Sequence, residues 1–130
     1  MNDTLKIIIA GLLFLVIDGG FITLMGGHWN KQIKLVQKSP LKTNIVSALL
    51  AYCVMIFAWV YFIYLPGKKY KIKLEENVIR AFLLGFSIYA VFDFTNYAIL
   101  KDWSVTTALF DIIWGSLLYA VITFIIGKIN

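Results

Sequence analysis

Four apolar runs, each close to the length that crosses a bilayer, constrain this chain more than any other feature. They cover about residues 5–27, 43–65, 77–100 and 104–127. A helix rises about 1.5 Å per residue, so about 20 apolar residues cross the hydrocarbon core. Backbone N–H and C=O groups find no water there, and a helix satisfies them internally. Composition agrees: the chain is 61% hydrophobic and 15% charged, whereas soluble domains are about half apolar and about a quarter charged. The expected fold is all-α, an integral membrane four-helix bundle built as a single multi-pass domain over residues 1–130. Lys6 gives only a thin positive flank, the first run continues past signal-peptide length and no A-x-A-like site follows. The first run is therefore expected to be a retained span.

The connections differ in kind. In WNKQIKLVQK, Trp29, Ile33, Val36 and more loosely Leu35 fall on one side, with Lys31, Lys34 and Lys38 mainly elsewhere. That spacing predicts a short interfacial helix between spans one and two. Pro66-Gly67 is expected to stop span two, with KKYKIKLEEN as a solvated basic loop. The third connection, about 101–103, forces spans three and four into a tight antiparallel hairpin. Gly85 and Gly115 are expected where helices touch, and the crowded aromatics of span two are expected to pack or form an interfacial belt. Cys53, the only cysteine, is expected as a buried thiol.

The net charge is +5, but the basic residues sit in flanks and loops between spans. They suit topology setting and anionic lipid headgroups, and they argue against nucleic acid as a partner. The end with the first and third connections carries five lysines, and the end with the termini carries seven basic residues. The positive-inside rule then places the termini in the cytoplasm.

Asp18, Asp93 and Asp111 interrupt these apolar runs. An Asp at the centre of a membrane helix costs about 2.5–3.5 kcal/mol by insertion scales. Counting places all three at one depth. Asp93 and Asp111 lie nine residues to either side of Asp102, and Asp18 lies nine before Gly27. That corresponds to roughly 10–14 Å below one surface. Tyr89, Asp93 and Asn96 share one helical stripe, as do Thr107, Asp111, Trp114 and Gly115. Polar groups in spans turn toward the bundle interior. The expected site gathers Asp18, Asp93, Asp111, Asn96 and Tyr89, with Thr95, Thr107 and the Trp114 ring N–H at its edge. No Lys, Arg or His shares their depth in the spans. At least one carboxyl is therefore expected to carry a proton near neutral pH, unless a cation sits among them. A metal, if one binds, would use the same three aspartates. Gly19-Gly20 is expected to loosen span one beside them.

The segments GFSIYAVFDFTNYAILKDWS and FDIIWGSLLYA carry a wider pattern: Gly85, Tyr89, Asp93, Thr95-Asn96, Ala98, Leu100-Lys101, Trp103, Asp111, Trp114 and Gly115. On these residues the chain resembles the family called domain of unknown function 2177, small predicted membrane proteins with four spans. Asp18 matches the family's aspartate in span one, while Gly19-Gly20-Phe21 departs from the usual apolar residue and Trp. The resemblance implies a four-helix membrane protein and no particular activity.

The function expected from the residues is to bind or pass a proton, a small cation or a small cationic solute, with the bilayer as partner and a homo-oligomer completing any transport path. Two alternatives stand beside it. One is a membrane-embedded enzyme or accessory factor acting on lipid, against which no phosphate-binding base lies among the aspartates. The other is a structural or assembly subunit whose polar cluster serves packing. No P-loop, nucleophile-elbow or zinc-protease motif occurs, and the residues specify no cofactor.

Overall fold

The computed structural model describes residues 1–129. It contains five helices: α1 (Asp3–Leu24), α2 (Gly26–Gln37), α3 (Ile45–Lys69), α4 (Leu74–Ile99) and α5 (Val105–Lys128). All but α2 are long and apolar enough to cross a membrane, and no strand occurs among the described residues. The expected all-α bundle with an additional short helix is what forms.

Helix starts follow from local chemistry. The side chains of Asn2, Asn44 and Ser104 accept from the backbone N–H groups of Leu5, Ser47 and Thr107, filling donors that the first turn leaves open. Glu75 and Glu76 in the first turn of α4 complement its dipole. The left-handed conformation of Asp102 (φ 68°) turns the chain between α4 and α5. An Asp tolerates that conformation better than a branched residue.

Span two departs from the sequence expectation. Pro66-Gly67 does not stop α3, which continues to Lys69. Pro66 lacks the N–H that would bond the Phe62 carbonyl. The Arg80 guanidinium supplies a donor to that carbonyl at 3.1 Å, and Asn77 Nδ2 donates to Ile63 at 3.2 Å. A π-turn over Val60–Tyr64 lies in the same stretch. With these carbonyls served from α4, the helix passes through its proline. The basic connection accordingly shrinks to 70–73, and α4 begins at Leu74 rather than near Asn77.

α5 is the central helix, with Tyr119, Leu118 and Ile122 essentially sealed from the outside. Phe14 of α1 meets Tyr119 edge-on at 5.0 Å. The Trp59 ring N–H of α3 donates to Thr123 Oγ1 at 2.9 Å, and the Tyr119 hydroxyl donates to the Met55 carbonyl at 2.9 Å. α4 lies along α5 backbone to backbone, because a Cβ added at Gly85 would fall 2.4 Å from the Gly115 carbonyl oxygen. Small residues at such crossings let helices approach this closely.

The outward faces are apolar instead. Val16, Val54, Phe57, Val91 and Ile113 are each more than half exposed, as lipid contact requires and as a water-facing surface would not tolerate. Cys53 lies on this outer side of α3, correcting its expected burial. Phe57 follows it one turn on and is also exposed.

Candidate functional site

The polar layer is set by position along the helices. Asp18 lies six residues before Leu24, Asp93 six before Ile99, Asp111 six after Val105 and Tyr52 seven after Ile45. These offsets put all four about 9–10 Å from the helix ends that carry α2. On α1, Ala10 and Phe14 are buried ahead of Asp18. An α-helix drifts about 40° every four residues, so such a file would wind off the core. A π-turn over Phe14–Asp18 underwinds α1 and keeps all three facing inward.

Asp18 is fully served. Trp114 Nε1–H donates to Oδ1 at 2.8 Å, and the Tyr52 hydroxyl donates to Oδ2 at 2.6 Å. One carboxyl thereby joins α1, α3 and α5. The Trp114 ring is held in turn by Phe21, stacked at 4.1 Å with 9° between planes.

Asp93 is the opposite case. It is 0% exposed, and no N–H or O–H of the described residues reaches either carboxyl oxygen. The group within hydrogen-bonding reach is another carboxyl, that of Asp111 across the hairpin. Two ionised carboxylates have only acceptors to offer each other, and a bond between them needs a proton on one. The Gly85–Gly115 crossing brings these two side chains together two turns below the hairpin. Tyr89 fills the notch at Gly115, where an added Cβ would lie 2.1 Å from its ring.

The remaining expected site residues divide. Asn96 is half-buried one turn beyond Asp93, while Thr95 points outward. Thr107 is buried, but in a separate network. Its hydroxyl donates to Gln32 Oε1 at 3.2 Å and lies 2.8 Å from His28 Nε2. Gln32 Nε2 donates to the Asp102 carbonyl at 2.8 Å. α2 is thus clamped across the hairpin turn, one helical turn outward from Asp111. Trp29, Ile33 and Val36 are half-buried as the spacing predicted, and Leu35 is exposed. Among the described residues no group of three His, Cys, Asp or Glu side chains could hold a metal ion. The three-aspartate metal set is not assembled, because Asp18 turns to Tyr52 and Trp114 while the other two face each other.

Tyr52, Gln32 and His28 were missed as partners of the expected residues. Tyr52 had a usable signal, since it sits as deep in span two as Asp18 does in span one. Gln32 had a weaker one, falling among the apolar positions of α2.

The matched pattern of residues runs from 4 to 127. The chain belongs to the DUF2177 family. DUF2177 proteins are described as predicted membrane proteins, in keeping with four apolar helices and an integral, multi-pass location. All of the polar layer lies within the DUF2177 match. No curated protein and no solved structure matches the chain.

Proposed function

We propose that the Asp93–Asp111 pair is a protonatable binding site, which holds a proton between its carboxyls and exchanges it for a small cation or cationic solute. The observation that carries this is Asp93 itself: wholly buried, with no donor of the described residues at either oxygen. A membrane protein that needed only packing gains little from such a group, since it takes no donor from the surrounding helices while demanding desolvation. Tyr89 and Asn96 lie on the same stripe of α4 as Asp93 and flank the pair without a hydrogen bond to Asp93. Asp18, satisfied by Trp114 and Tyr52, serves as the tie that holds three helices around it.

On this reading the pair is reached from the α2 end, when the Gln32–Thr107–His28 network opens. The opposite direction is closed by Phe14, Trp59, Tyr119 and Ile122, all nearly inaccessible. In one copy the site therefore loads and unloads at one face, and a path across the bilayer draws on a second copy or on a rearrangement of the bundle. With the termini cytoplasmic, as the lysine balance favours, the α2 end faces away from the cytoplasm.

The test is flux into liposomes under an imposed pH, metal-ion or organic-amine gradient, with the intact protein. Wild-type protein is expected to give a pH- or cation-dependent signal that Asp93→Asn and Asp111→Asn each abolish. Wild-type flux no greater than that of empty liposomes across protons, metal ions and amines would remove the proposal.

A further inference from the structure

At the other end of the bundle, where the termini and the 70–73 connection lie, a groove of about 290 Å³ opens between α1, α3, α4 and α5. Its floor is apolar, with Trp59 and Ile126 buried beneath it. Its polar groups are unevenly spent. The Asp3 carboxylate takes the Tyr64 hydroxyl on one oxygen and the Lys68 ammonium on the other. Asn77 Oδ1 accepts from Arg80, and the Thr123 hydroxyl accepts from Trp59 while donating to the Tyr119 carbonyl. Each of these carboxylate, amide and threonine oxygens therefore already has a donor.

The cationic donors are not all taken. Lys6 lines the groove with no hydrogen bond among the described residues, its charge acting on Asp3 without direct contact, so its three N–H bonds are unspent. Lys68 spends one of its three on Asp3. With two ammonium groups against one carboxylate, and cationic donors to spare, the groove favours an anion. The surroundings define what kind. Seven basic residues lie at this end, against Asp3, Glu75 and Glu76, and the apolar floor suits a ligand that is part hydrocarbon.

We infer that this groove binds the headgroup of an anionic phospholipid, with the phosphate at Lys6 and Lys68 and the glycerol end against Trp59 and Ile126. The position fits a headgroup, because the groove sits where apolar helices give way to basic connections. It is independent of the aspartate pair, which lies toward the opposite helix ends.

Native mass spectrometry of the full chain, released from micelles doped with phosphatidylglycerol or phosphatidylcholine, tests it. One phosphatidylglycerol is expected to remain bound where phosphatidylcholine does not. Lys6→Gln should lower that retention about fivefold, the effect of one lysine at an anionic surface. Lys6→Arg should preserve it, and Lys34→Gln on α2 should leave it unchanged. Millimolar inorganic phosphate should fail to displace the lipid. Equal retention of both lipids, indifference to Lys6→Gln, or displacement by free phosphate would each overturn the assignment. The last of these would mark a phosphate site rather than a lipid site.

Discussion

Asp18 and Asp93 occupy the same layer of the same bundle and are solved in opposite ways. Asp18 has one donor on each oxygen and joins three helices. Asp93 is more deeply buried, has no donor from the described residues, and faces another carboxyl. Identical chemistry therefore has two meanings here. A buried carboxylate with matched donors is a fastener, and removing it strands its partners. A buried carboxyl without them contributes little to stability as an ion, and its value lies in what it can exchange.

Stability and flux measured on the same variants should separate the two aspartates. The largest expected loss of stability is for Asp18→Ala, which leaves the Tyr52 hydroxyl and the Trp114 N–H both unpaired. At about 1–3 kcal/mol for each stranded group, unfolding in detergent should become easier by about 2–6 kcal/mol. An unchanged melting temperature would mean that Asp18 is no fastener. Next comes Gly85→Ala. Its methyl would strike the Gly115 carbonyl, so α4 and α5 must separate, at about 1–3 kcal/mol. Because the same crossing sets the Asp93–Asp111 approach, flux should fall with stability, and full flux at reduced stability would uncouple them.

Tyr52→Phe removes a single bond to Asp18 and should cost about 0.6 kcal/mol, and no more than about 1.7, the mean and the maximum for hydrogen bonds between membrane helices. Smallest of all is Asp93→Asn. Its amide can donate to Asp111, so the melting temperature should hold or rise even as flux is lost. A large drop in stability for this variant would place Asp93 beside Asp18 as a packing group and erase the contrast between them.

Much of this was legible in the chain. Four apolar runs dictated four helices, because a bilayer leaves the backbone no other partner. Counting from the hairpin put Asp93 and Asp111 at one depth, since an antiparallel pair folded at 101–103 must bring equal offsets face to face. Gly85 and Gly115 marked the crossing. The end of α3 was not legible, because the groups that carry it past Pro66 belong to Arg80 and Asn77 on another helix. Nor was the destination of Thr107. Its stripe on α5 pointed to the acidic layer, but the stripe gives a direction only, and α2 reached it first through Gln32 and His28.

The sequence by itself determined the helices, their order and the depth of each aspartate, because rise per residue and hydrophobic length are properties of one segment at a time. Only the tertiary structure decided which aspartate is satisfied. That choice depends on whether a donor from another helix arrives within about 3 Å. Such an arrival depends on a π-turn in α1, a tyrosine on α3 and a tryptophan on α5 meeting at a single point, while Asp93 is left facing its like.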